Sequence, residues 1–257
     1  GSLVVQETKF DSGKGLAVEV ILDASGSMLK KEGAQTRMET AIEAISALIQ
    51  NELPAECSFA LRVFGHLKAD SCDTQLEIPL RPLDRNLVLA KIKSIQAKNL
   101  ARTPIAASLD QVDQDLAGAS ANKLVILLTD GEETCGGDPA QSIKALQAKG
   151  TSVRVNIVGF AVADLGLKRQ FSTWAQTGNG VFLDASESRQ LKGRLAQSLK
   201  TPFRVVDSAG QVKLEATADG ETRALSPGAY RLQWGTGWKL EKAFEVRAQQ
   251  QVALTIP

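Results

Sequence analysis

Residues 16–22 read LAVEVIL and run directly into residues 23–27, DASGS. The first seven form an apolar run broken only by Glu19, the pattern of a strand covered on both faces in a parallel sheet. Such a strand lies centrally, and its carboxyl end is occupied by Asp23, Ser25 and Ser27. In open α/β sheets ligands sit beyond the carboxyl ends of strands, where strand order reverses. The loop is therefore placed for chemistry, and the remaining elements can be read outward from it.

Downstream, Met38, Ile42, Ile45, Leu48 and Ile49 recur at helical spacing, so residues 38–49 are expected to form an amphipathic helix closed by Pro54. Residues 59–64 read as a second strand and 76–80 as a short third one, with Pro79 and Pro82 suited to a sheet edge. Their separation is too short for a crossover helix, so this pair is expected to be antiparallel. Asp84 reads as the cap of the next helix, which runs through Leu87, Ile92 and Ile95. Thr103-Pro104 then opens another, with Ile105, Leu109, Val112 and Leu116 on one face. Residues 123–129 (KLVILLT), 153–160 and 181–183 read as strands, and 139–149, 167–177 and 187–199 as helices, the first ending at Gly150 and the second at Gly178.

This alternation over residues 16–200 predicts a doubly wound, mostly parallel α/β sheet with one antiparallel edge strand, a Rossmann-like arrangement. At Thr201-Pro202 the period changes. Short alternating runs follow, separated by the turn signals Ser208-Ala209-Gly210, Asp219-Gly220 and Ser226-Pro227-Gly228. Residues 201–257 are thus expected to form a small all-β, sandwich-like module, and residues 1–15 an N-terminal strand and linker. Residues 3–9 are placed to add a strand to that module, which is small enough to be expected to pack against the larger domain.

The composition bounds the function. Hydrophobic residues make up 43% of 257, enough for a sizeable core, and 30 Lys plus Arg nearly balance 29 Asp plus Glu. No long-range field draws in nucleic acid or an anionic membrane, so recognition must be local. The longest apolar run, residues 124–128, has strand length, so no direct membrane insertion is expected. Gly1-Ser2 reads as a cloning remnant, which leaves room for a signal, an anchor or a further domain ahead of it. A single His66 and three dispersed cysteines exclude a structural zinc site. Gly13-Lys14-Gly15 precedes a strand instead of following one, so it is no dinucleotide loop. No paired base and nucleophile is present, which argues against a metal-assisted hydrolase, and no enzyme is expected.

Three loops present oxygen: Asp23, Ser25 and Ser27 directly after the first strand, Thr103 in the loop before the third helix, and Asp130 ahead of Gly131 at the end of the fourth strand. Two carboxylates and three hydroxyls, with no sulfur or imidazole, suit a hard cation, Mg2+ foremost, with Ca2+ or Mn2+ as alternatives. Gly26 is read as permitting the turn. Taken singly, Thr103 reads equally as a helix cap and Asp130-Gly131 as a turn.

Asp23-x-Ser25-x-Ser27, Thr103 in Thr-Pro-Ile and Asp130 in Thr-Asp-Gly together resemble the metal-ion-dependent adhesion site of von Willebrand factor type A domains, over roughly residues 16–200. The stretch from Thr129 to Pro139, followed by Val158-Gly159-Phe160, is similar to an exported bacterial branch of that family, which implies an extracytoplasmic setting in the periplasm or at the cell surface. The resemblance implies that Ser25 and Ser27 bind the metal directly, that Thr103 does so in one state, and that Asp23 and Asp130 act largely through water. It also implies the function: reversible capture of a protein partner through an Asp or Glu that completes the coordination. The alternative is the sensory ectodomain of a larger membrane protein using the same chemistry. Cys72 and Cys135 each follow a strand that neighbours the central one, so they either pair as a disulfide or remain reduced with Cys57. Arg102, beside Thr103, either clamps the incoming carboxylate at the rim or faces solvent. Glu132, Glu133 and Asp138 read as a solvated acidic rim, His66 as a polar packing residue, and Trp234 and Trp238 as the cover of a small core or an exposed patch.

Overall fold

A computed structural model describes residues 1–7, 15–119, 122–149 and 153–256. The chain divides into two compact units, one of Ser12–Ala196 and one of Gly1–Asp11 with Gln197–Pro257. Strand β1 (Ser2–Glu7) opens the chain and belongs to the second unit.

In the first unit the LAVEVIL run and Asp23 form β2 (Leu16–Asp23), buried at every residue after Leu16. A two-residue hairpin, β3 (Lys31–Glu32) with β4 (Gln35–Thr36), leads into α1 (Arg37–Ala47). Thr36 and Glu39 form a capping box there: the Thr36 hydroxyl accepts from the Glu39 amide, and the Glu39 carboxylate accepts from the Thr36 amide. The helix expected over 38–49 instead passes into a single π turn at Leu48–Glu52. Strands β5 (Ser58–Phe64) and β6 (Thr74–Pro82) pair antiparallel, and Asp84 caps α2 (Arg85–Ser94) through the Leu87 amide.

The helix expected from Thr103 to Leu116 is two short ones, α3 (Ile105–Leu109) and α4 (Val112–Asp115). The interruption falls at Asp110–Gln111; ahead of it the Ser108 hydroxyl bonds back to the Pro104 carbonyl, which its own amide also reaches, and across to Thr74. Ile105, Leu109, Val112 and Leu116 nevertheless share one buried face. The remaining elements are β7 (Asn122–Thr129), α5 (Pro139–Ala148), β8 (Val153–Phe160), α6 (Leu165–Thr177), β9 (Phe182–Ala185) and α7 (Ser188–Ser198). Strand order is β6-β5-β2-β7-β8-β9, with β6 alone antiparallel. The doubly wound sheet read from the sequence is thus the one formed, with β2 between β5 and β7 at the switch point.

The second unit adds β10 (Pro202–Asp207), β11 (Val212–Thr217), β12 (Asp219–Ala224), β13 (Gly228–Trp234), β14 (Leu240–Val246) and β15 (Gln251–Ile256). Two sheets, β12-β1-β15 and β11-β10-β13-β14, share a core built around Leu3, Val5, Phe203, Val205, Leu232 and Ile256. Asp219-Gly220, read as a turn, lies inside β12: Gly220 (φ +81°) sits where the β1 pairing slips register, so the glycine serves a bulge. Trp234 packs on the core, while Trp238 (φ +59°) lies under the Arg204 guanidinium, 5.0 Å from the ring centroid. Thr8, Lys9, Gly13, Lys14 and Gly150, which figured in the sequence reading, lie outside the described residues.

Glu19, the one interruption of the central strand, is fully buried. Its nearest cation, Arg62 on β5, stands 3.9 Å away and forks onto Asp115 at 2.6 and 2.8 Å. No donor reaches either Glu19 oxygen among the described residues. Burial, reinforced by the Asp115 charge and only partly opposed by Arg62, pushes the Glu19 carboxyl well above the usual range, so it holds its proton to higher pH than it does in the unfolded chain. The folded chain therefore binds a proton that the unfolded chain releases, and stability falls as pH rises above the ordinary carboxylate value. Glu19→Gln, which mimics the protonated acid, should melt with the wild type at about pH 4 and above it at about pH 8. Thermal denaturation across that range checks this, and a variant that melts lower at the alkaline end overturns it.

Candidate metal centre

Asp23 ends β2 and is fully buried, so its charge must be met locally. One carboxylate oxygen accepts the Ser25 amide at 2.8 Å and the other the Thr129 hydroxyl at 2.6 Å. Burial first, and then the nearby charge of Asp130, push its carboxyl up to about 7. Ser25 immediately precedes the 3-10 turn Gly26–Leu29, without a capping bond from its side chain. Its hydroxyl lies 3.1 Å from that of Ser27, which donates to Asp130 at 2.6 Å. Two of the loops thereby converge. The third is tied to them through its backbone: the Gly26 amide donates to the Ala101 carbonyl, and the Lys98 amide to the carbonyls of Ala24 and Gly65.

Gly26 was expected to serve the turn, yet it does not adopt a left-handed φ. What it provides is proximity, because a Cβ there would stand 3.1 Å from the Leu100 amide nitrogen. The left-handed glycine is Gly65 (φ +76°), directly after β5, whose Cβ would fall 2.5 Å from the Ser25 amide nitrogen. The end of β5 and the Asp23 loop can approach this closely only because that side chain is missing.

Thr103 is buried, and its hydroxyl does not cap a helix: Pro104 occupies the cap position, and no partner for the Thr103 hydroxyl is present among the described residues. Its backbone is held by reciprocal bonds with Thr134, whose hydroxyl accepts from the Thr103 amide at 2.7 Å and whose amide donates to the Thr103 carbonyl. Glu133, read as solvated rim, instead accepts the amides of Ala106 at 2.8 Å and Cys135 at 2.6 Å, and Asp138 caps α5. Of the acidic trio only Glu132 is exposed without such a bond. Cys72 and Cys135 form a disulfide that joins the loop after β5 to the loop after β7, while Cys57 is free and buried. Arg102 pairs with Asp70 at 3.0 Å in solvent, and its amide donates to the Ser71 carbonyl. His66 bonds Glu77 at 2.8 Å.

Sequence reading missed Arg37. It donates to Asp130 at 2.9 Å and to Glu32 at 2.7 Å, and these carboxylates hold its guanidinium charged against the cost of burial. No local signal marks it, since it reaches Asp130 across 93 residues. Thr129 had one: a hydroxyl closing an otherwise apolar strand. Gly65 had another, a glycine at the end of a strand.

The donors are all oxygen, from two carboxylates and three hydroxyls, which is the chemistry of a hard divalent cation. Adjacent ligands of an octahedron with bonds of about 2.1 Å stand about 3.0 Å apart, and the two serine hydroxyls meet that spacing at 3.1 Å.

Residues 18–133 match the model of the von Willebrand factor type A domain. Over 185 residues, 68% of the chain and 81% of the relative, the sequence is 33% identical to YwmD of Bacillus subtilis. The chain belongs to the von Willebrand factor type A family. Among solved structures, this type A chain is similar to an aerotolerance-related membrane protein of Bacteroides fragilis, with a TM-score of 0.57 and 21% identity over 72% of this chain and 98% of that one. It is also similar to proximal thread matrix protein 1 of the mussel byssus, in a form whose adhesion-site motif holds zinc, with a TM-score of 0.52 and 18% identity over 76% of this chain and 47% of that one. At these identities the two structures speak to the type A fold.

The Gly65 contact separates two costs. Gly33 is also left-handed (φ +73°), but nothing lies within 4 Å of its Cβ position. Gly33→Ala should cost about 1 kcal/mol of backbone strain, and Gly65→Ala at least about 2 kcal/mol, because the Ser25 loop must also move. Denaturant unfolding of the two variants measures the difference; equal losses would mean that the loop yields freely.

Proposed function

We propose that the type A domain holds one divalent metal ion through Ser25, Ser27 and Thr103, with Asp23 and Asp130 acting behind them, and uses it to capture an Asp or Glu of a protein partner. The observation that carries this reading is the run of close oxygens at the carboxyl end of the central strand, Ser25 to Ser27 at 3.1 Å and Ser27 to Asp130 at 2.6 Å. Bound there, the cation supplies a hard Lewis acid whose charge neutral hydroxyls leave only partly offset, so an anionic oxygen is the ligand it favours. The chain's own groups prepare the place. Asp23 fixes the Ser25 amide, Ser27 orients Asp130, and Thr134 sets the backbone of Thr103. Arg37 offsets the charge of Asp130, which keeps the centre receptive to a further anion.

An all-oxygen donor set of this kind suits Mg2+, with Ca2+ or Mn2+ as alternatives. We assign the chain to an extracytoplasmic compartment, periplasm or cell surface, on the strength of its Cys72–Cys135 disulfide and its likeness to the Bacteroides fragilis membrane protein. No helix among the described residues is long and apolar enough to cross a membrane. Binding, and not turnover, is the role assigned, in keeping with type A domains as interaction modules. The Gly1–Asp11 and Gln197–Pro257 unit is treated as a separate β module.

Titration calorimetry with Mg2+ tests the centre. Wild type should bind one equivalent, and Ser25→Ala/Ser27→Ala should weaken binding by more than about a hundredfold, beyond what loss of an outer-shell partner costs. Unchanged affinity in the double variant refutes the assignment.

A further inference from the structure

The first unit buries its large apolar side chains with few exceptions. Five leucines keep more than a third of their surface open there: Leu29, Leu67, Leu87, Leu100 and Leu165. Three of them stand on the loops that build the Asp23 site. Leu29 ends the 3-10 turn that carries Ser27. Leu67 lies two residues beyond Gly65, the glycine seated against Ser25. Leu100 has its backbone against Gly26 and is 71% exposed, the most open of the five.

Leu100 is also held at φ +60°, a conformation that costs a non-glycine residue about 1 kcal/mol. Its neighbours impose it: the Lys98 amide is bound to Ala24 and Gly65, and the Leu100 carbonyl accepts the Asp70 amide. Neither the strain nor the exposed side chain helps this unit fold. Both make sense at a surface that is covered on binding.

Cations accompany the leucines. Lys30 follows Leu29, Lys68 follows Leu67, and Lys98 and Arg102 flank Leu100. Lys68 and Arg102 are paired with Asp73 and Asp70, whereas Lys30 and Lys98 carry no salt bridge among the described residues, so two unpaired cations border the leucines around a centre read as anion-seeking. Asp70, Asp73 and Glu132 interleave with these cations, so the rim lacks the continuous basic face that holds an anionic bilayer, which favours a protein segment carrying a single acid over a membrane.

We infer that Leu29, Leu67 and Leu100 form an apolar collar that receives the side chains flanking the partner's carboxylate, so that the partner presents an Asp or Glu bracketed by leucine, isoleucine or phenylalanine. This rests on the metal-centre reading and adds the partner's chemistry to it. The metal selects the acid, and the collar selects its neighbours.

The test uses the full chain and a displayed library of random peptides with a fixed central Asp, selected in Mg2+ and in chelator. The comparison variant is Leu29→Ser/Leu67→Ser/Leu100→Gly, in which glycine relieves the strained backbone, so the fold is kept and thermal denaturation should show no loss at position 100. Wild type should enrich peptides with large apolar residues within two positions of the acid. The variant should bind them about tenfold or more weaker, the order expected for lost burial of leucine, while calorimetry shows unchanged Mg2+ affinity. Enrichment without apolar flanks, equal binding by the variant, or no enrichment by a protein that binds Mg2+ overturns the collar and leaves the metal centre standing. Enrichment that survives chelator removes the metal reading itself. Leucine-dependent co-sedimentation with phosphatidylserine vesicles, in place of peptide enrichment, overturns the assignment to a protein partner.

Discussion

The buried carboxylate of Asp23 is the constraint to which the rim of the sheet answers. A charge at the end of the central strand, with no exposed surface, must find donors, and it finds one in its own loop and one on the neighbouring strand: the Ser25 amide and the Thr129 hydroxyl. The first bond folds the loop back over the strand, and the second locks β2 to the exit of β7, where Asp130 begins the next loop. The same carboxylate that needs satisfying therefore brings the Ser25–Ser27 hydroxyls and Asp130 together. Cost and convergence have one origin.

Around that point the loops are joined by several independent kinds of bond. Gly65 allows backbone contact, the Cys72–Cys135 disulfide links two loops covalently, and Thr134 and Glu133 bind the Thr103 and Ala106 amides at the start of α3. A helix of only five residues has little dipole and no cooperativity of its own, so its start must be held from outside. That explains why an acidic residue read as solvent-facing is spent on backbone amides, and why Thr103 is left with its hydroxyl unclaimed.

Much of this was legible in the chain because the signals were local. An apolar run ending in Asp-x-Ser-x-Ser, a hydroxyl before proline and a strand ending in Thr-Asp-Gly each announce a loop at the same end of a parallel sheet, and the 3.6 and 2 periodicities divide the chain at Thr201. The failures were of two kinds. Local rules misjudged what a residue was for: Gly26 was assigned to turn geometry when it serves close approach, and the region from Thr103 to Leu116 kept its apolar face while its helix was interrupted at Asp110–Gln111. Pairings across long separations left no trace at all, as with Arg37 and Asp130, because any exposed arginine after a helix cap reads as solvent-facing.

Arg37 also bears on how such a centre balances affinity. Asp130 already accepts a serine hydroxyl and a guanidinium, so part of its charge is used before any cation arrives. A centre with fully free carboxylates would bind metal tightly but leave little residual charge for a partner. One whose carboxylates are engaged by the protein holds the metal less firmly and keeps its positive field for an incoming acid. On the proposed reading, the guanidinium would trade affinity for the ion against affinity through the ion, as suits a docking centre more than a structural one.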